Sequence, residues 1–171
     1  MAKNNAIQFI LGIISHRQSI YKGISMIYET DSSLDSDLQK IGCYALSIAH
    51  YRPEITSEEM NDAWGKAKIC HYVDDDGTLT DPQSFVNILG YPLKIRLDKN
   101  GSSHYPKDKP VDPKESWIIG EWHNDATNFT HFVCMDGLGT DKSHVTYDPI
   151  QGGSRTVREG YLVSYRLFDK V

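Results

Sequence analysis

The apolar residues of this chain change period near its middle, and that change limits the folds open to it more than any single motif does. In the first half they recur three and four apart. Ile7, Ile10, Leu11 and Ile14 begin such a pattern and Ile20, Ile24 and Ile27 continue it, with Gly12 and Gly23 as weak points. From Cys43 onward, Ala45, Leu46, Ile48 and Ala49 read as a buried helix that Pro53 ends. Thr56-Ser-Glu-Glu59 is a capping box opening a helix to about Ile69, and residues 80–90 form a shorter one, with Pro82 in its first turn and Gly90 closing it. Residues 97–114 carry Gly101, Pro106, Pro110 and Pro113 and read as a surface loop. Beyond it the runs 117–122, 130–135, 144–148 and 161–168 are aromatic and β-branched, separated by turns. Helices followed by antiparallel strands predict an α+β fold. A chain of 171 residues suits a single domain spanning residues 1–171, which buries roughly 70% of its unfolded surface and needs no staples.

Charge and cysteine usage remove several function classes. The net charge is −5 and the basic residues are scattered, so nothing supplies the patch that nucleic acid or an anionic membrane requires. Three cysteines, none in a CxxC pair, argue for reduced thiols in a cytoplasm-like compartment rather than a disulfide framework. The apolar run at residues 6–14 is interrupted by Gln8, lacks a cleavage site and is too short to span a bilayer; it reads as a buried first helix. The expected location is cytoplasmic, with no membrane span.

A free thiol near pKa 8.5 is mostly protonated at neutral pH, so thiol catalysis calls for a helix start and a nearby imidazole. Cys43 stands where the turn-forming stretch 30–37 and Gly42 give way to an apolar helix. Gly42 allows a sharp turn that leaves the sulfur open, and a backbone N–H there can donate to an oxyanion. His131 opens one predicted strand, and Pro149 stops the next one at Asp148. In so short a hairpin the start of one strand lies beside the end of the next. His131 and Asp148 are therefore expected neighbours, with the carboxylate holding the imidazole's tautomer.

Each residue alone has a plainer reading: Cys43 as a buried structural thiol, Asp148-Pro149 as a turn. Cys70-His71 are adjacent on a helix and point about 100° apart, so they cannot pair. Cys134 belongs to the core. His50, His71, His104, His123 and His144 are too scattered for a zinc site, and Gly137-Leu-Gly139 lacks the strand–loop–helix setting of a phosphate loop. No metal and no cofactor are expected.

Taken together, Ile-Gly-Cys43-Tyr-Ala-Leu-Ser-Ile-Ala, Thr-His131-Phe-Val-Cys-Met-Asp-Gly and Val-Thr-Tyr-Asp148-Pro resemble the papain-like cysteine peptidase superfamily over residues 37–150. The likeness is greatest to the branch of double-glycine peptidases that cleave bacteriocin leaders. It implies a papain-like fold, with N-terminal helices and the nucleophile helix packed on a C-terminal antiparallel sheet. It further implies Cys43 as nucleophile, His131 as base, Asp148 as orienting acid and Gln39 at the oxyanion hole. Two positions depart from the family pattern. Gln39 lies four residues before the cysteine instead of six, and Tyr44 stands where the family carries glycine. Small phage-borne proteins also carry Gly-Cys-Tyr motifs, which would put such a member in a host cytoplasm. The expected activity is hydrolysis of a peptide, protein or peptidoglycan-like amide through a thioester. The alternative is an inactive papain-like domain acting as a binding or antagonist protein, and either reading admits a phage-encoded protein. The oligomeric state stays open.

Overall fold

In a computed structural model, residues 26–171 other than 53, 110, 111 and 113–115 are described. The first helix expected from the sequence lies outside the described residues except at 26–28, which take no regular structure. Most described helices begin on a side chain that accepts an orphan backbone N–H. Asp35 caps α1 (Ser36–Ile41), and Thr56 caps α3 (Ser57–Ile69) in a complete capping box with Glu59. Asp81 caps α4 (Pro82–Leu89), which ends on Gly90 in the left-handed region at φ 67°. Ser154 caps α5 (Arg155–Glu159). The exception is α2 (Cys43–His50), whose N-cap Gly42 has no side chain to offer.

Six strands form one antiparallel sheet: β1 (Leu93–Ile95), β2 (Tyr105–Pro106), β3 (Ser116–Asn124), β4 (Phe129–Met135), β5 (Val145–Tyr147) and β6 (Tyr161–Lys170). Their order is β1-β6-β3-β4-β5, with β2 also paired to β6. The fold is α+β, with four of the described helices before the strands and α5 between β5 and β6. Four elements go beyond the sequence expectation: α1, α5, β1 and β2, the last inside the stretch read as a loop. Each is too short to show a period of its own.

The helices up to α4 cover one face of the sheet and α5 lies on the other. Leu46, Ile48, Met60, Trp64 and Phe85 meet Ile119, Cys134 and Phe168 on the first, while Trp122, Val133, Leu162 and Tyr165 pack as a second cluster with Val157 of α5. Truncating Trp64 or Phe85 to alanine, both fully buried, would cost about 3–5 kcal/mol. Three bonds fasten α2 and its end to the sheet: Ser47 Oγ donates to the Phe132 carbonyl (3.1 Å), the Cys134 thiol to the Ser47 carbonyl (3.2 Å), and the Tyr51 hydroxyl to the Ile118 carbonyl (2.6 Å). The helix bearing Cys43 is thereby held against β4, the strand bearing His131.

Candidate active site

Gly42 sets the position of Cys43 by what it lacks. Its backbone is ordinary (φ −75°, ψ 2°), so the sharp turn expected from a glycine is absent. A Cβ there would collide with the Leu38 carbonyl, and glycine is what lets α1 and α2 meet at a one-residue joint. The Gly42 N–H bonds the Leu38 carbonyl, and the Leu46 N–H bonds the Gly42 carbonyl. Residues 36 and 37, expected in the turn-forming stretch, instead begin α1. The positive end of α2 abuts α1, which weakens the dipole's help to a thiolate.

The imidazole of His131 is sealed in. His131 is 0% exposed and Cys43 6%. His131 Nε2 donates to Asp148 Oδ1 at 2.7 Å. Asp148 leaves the end of β5 and is gripped by two backbone donors, Ile150 N–H to Oδ1 (2.9 Å) and Ser154 N–H to Oδ2 (2.7 Å). Burial alone would raise the Asp148 carboxyl, but the bonds from His131, Ser154 and Ile150 outweigh it and hold the group below its ordinary value. Burial would likewise depress His131. Its hydrogen bond to Asp148 and the nearby Cys43 sulfur outweigh that and push the ring up to about 10. With Nε2 committed to Asp148, Nδ1 is the nitrogen left for the sulfur. It has no hydrogen-bond partner among the described residues, and the Cys43 sulfur lies within 4.8 Å of a nitrogen of the ring.

A fourth group joins them. A carboxylate oxygen of Glu29, the Cys43 sulfur and a His131 ring nitrogen all lie within 4.8 Å of one another. Glu29 arrives there because residues 27–29 are laid along the exit of β5. Its N–H bonds the Pro149 carbonyl (2.9 Å), the Tyr147 hydroxyl donates to the Ile27 carbonyl, and the Tyr28 and Tyr147 rings sit 5.8 Å apart. Burial pushes the Glu29 carboxyl up to about 7, with His131 pulling it down and Asp148 pushing it up. Sequence reasoning missed this residue, which sits between an expected helix and a polar stretch with no motif around it.

Gln39, expected at the oxyanion, donates its amide to the Leu34 carbonyl at 2.7 Å. Cys43 opens on a cleft of about 550 Å³. Tyr44 and Phe132 form its aromatic wall, their rings stacked at 4.5 Å. A polar end is built by Arg166, which lies 5.5 Å over the Phe132 ring and donates to Ser164 Oγ (2.6 Å), Glu121 (3.2 Å) and His104. Cys134 is buried and burial pushes its thiol up, whereas Cys70 is exposed at the end of α3.

The chain belongs to the family described as "Protein of unknown function, DUF261", which it matches over residues 25–170. No curated protein and no solved structure matches it.

Proposed function

For this member of a family of unknown function, we propose a papain-like cysteine hydrolase acting on an amide bond. The observation that carries the reading is the buried imidazole of His131, bonded to Asp148 on one side and facing the Cys43 sulfur on the other. His131 Nδ1 takes the thiol proton and the Cys43 thiolate attacks the amide carbonyl carbon. As the tetrahedral intermediate collapses the C–N bond breaks, and the imidazolium gives its proton to the leaving amine. Water, deprotonated by the same ring, then hydrolyses the thioester, restoring the thiol and releasing the acid. Asp148 keeps the ring's orientation throughout. The oxyanion is met by backbone N–H donors near Cys43, and by Gln39 through the amide hydrogen not given to Leu34. The cleft offers an aromatic wall and a charged, hydrogen-bonding end, which suits a peptide, an isopeptide, a peptidoglycan amide or a side-chain amide. A cytoplasmic setting, in a host cell for a phage-borne member, fits the reduced cysteines. Among the described residues, no helix is long and apolar enough to cross a membrane.

The test uses an internal reference, since Cys70 is an exposed thiol on the same chain. Iodoacetamide at pH 6 should alkylate Cys43 well ahead of Cys70, and His131→Ala should abolish the preference. A Cys43 that reacts no faster than Cys70 overturns the enzyme reading. Once a substrate is found, Cys43→Ala should lower turnover by several orders of magnitude. The Gln39 amide bound to Leu34 favours a second reading, an idle papain-like domain that binds a partner or antagonises a host protein. Tight complex formation that survives Cys43→Ala would select it.

A further inference from the structure

We propose that Glu29, Cys43 and His131 form a binding site for one zinc ion, which reversibly silences the cysteine. Three observations meet at this point. First, a carboxylate oxygen, a sulfur and a ring nitrogen lie within 4.8 Å of one another. Zinc holds such donors at roughly 2.0–2.3 Å, so small side-chain rotations close the distance. Second, His131 Nδ1 is fully buried with no hydrogen-bond partner among the described residues, and Nε2 is already bonded to Asp148. A ligating histidine that gives its other N–H to a carboxylate is the arrangement that fixes tautomer and ring direction at zinc sites. Third, the Glu29 carboxylate is half-buried near a second carboxylate, Asp148, with no lysine or arginine paired to it among the described residues. A bound divalent cation would sit against that carboxylate in place of the proton that His131 carries.

The donor set chooses the metal. Thiolate and imidazole disfavour calcium and magnesium and suit zinc, and three protein ligands leave a fourth position. Cys43 lines the cleft, so that position opens toward it and takes water or an anionic group. Zinc would occupy the sulfur and Nδ1 lone pairs and release the proton that one of the two carries. A cysteine so bound can neither attack a carbonyl nor be alkylated. The inference concerns the regulation of the site proposed above, but it rests on the geometry of three donors and its test reads metal, not turnover.

The experiment uses the full chain, stripped of metal with a chelator and titrated with zinc chloride by calorimetry. Cobalt chloride is titrated in parallel for its sulfur-to-metal charge-transfer band. One ion per chain with a Kd in the micromolar range or tighter is expected, along with slower iodoacetamide labelling of Cys43 but not of Cys70. Glu29→Gln, close to isosteric and checked for folding by its melting curve, should weaken zinc on the order of tenfold or more. Cys43→Ser should remove the cobalt–sulfur band, and Cys70→Ser should leave binding unchanged. The proposal is overturned if Cys43 labels equally fast under saturating zinc, if binding survives Cys43→Ser, or if Glu29→Gln binds as tightly. Failure of the hydrolase reading looks different: metal-free Cys43 would label no faster than Cys70, while zinc still protected it.

Discussion

Two histidines are buried where the helices meet the sheet, and their surroundings drive them in opposite directions. His50 closes α2, with its ring stacked on Tyr147 at 4.0 Å and Nδ1 lacking a hydrogen-bond partner among the described residues. Burial alone acts on it and depresses its pKa to about 4. His131 is buried at least as deeply, yet Asp148 and Cys43 lift it to about 10. Burial by itself makes a neutral, structural ring. A carboxylate aimed at one nitrogen, and itself gripped by backbone donors, makes a ring that holds a proton in the interior. The same short helix carries Cys43 at one end and His50 at the other, so its two ends differ in chemistry while sharing one layer of packing.

The strongest way to break this contrast is Asp148→Ala, which should turn His131 into a second His50. The ring's pKa, followed by NMR, should drop from about 10 to below the ordinary 6.5, and Cys43 alkylation at pH 6 should slow on the order of a hundredfold or more. A ring still titrating near 10 would show that Asp148 is not the cause.

Next in size is a pH effect on stability. The folded His50 titrates at about 4, below its unfolded value of 6.5, so the unfolded chain binds the proton more readily in between. Its contribution is complete above pH 6.5 and is lost toward pH 4, by roughly 3 kcal/mol at most. Urea unfolding at pH 7 and pH 4.5 should show a smaller drop for His50→Phe than for the natural chain. Equal drops would sink the assignment. His131 has the opposite sign: raised to about 10, it contributes fully below pH 6.5 and loses that contribution as pH rises toward 10.

The smallest effect sharpens the comparison. Ser154 caps α5 through its hydroxyl and holds Asp148 through its backbone N–H. Ser154→Ala removes only the first and should cost about 1 kcal/mol in thermal or urea unfolding, leaving the His131 titration unmoved. A shifted titration would mean that the carboxylate's aim depends on that cap.

Much of this arrangement is legible in the residues because it is local. The capping box at Thr56 and Glu59, the helix-ending Gly90 and the closeness of His131 to Asp148 all follow from chain neighbours or adjacent strands, and β4 does pair with β5 at Cys134 and Tyr147. What escapes such a reading is set by distant contact. Glu29 reaches the site only because Tyr147 and Pro149, about 120 residues along the chain, hold its segment. Strands of three and two residues, β1 and β2, exist by virtue of pairing with β6. Gly42 announces a turn, and only the Leu38 carbonyl packed against it reveals a tight joint between two helices.

The strand order also sets a timetable. β6 lies between β1 and β3, and it contributes Arg166 to the cleft beside Cys43. A nascent chain that has not yet released residues up to about 170 lacks the strand that joins the two edges of its sheet. Cys43 is made early and the far side of its cleft late, so a growing polypeptide carries the cysteine before the strand that completes the cleft has been made.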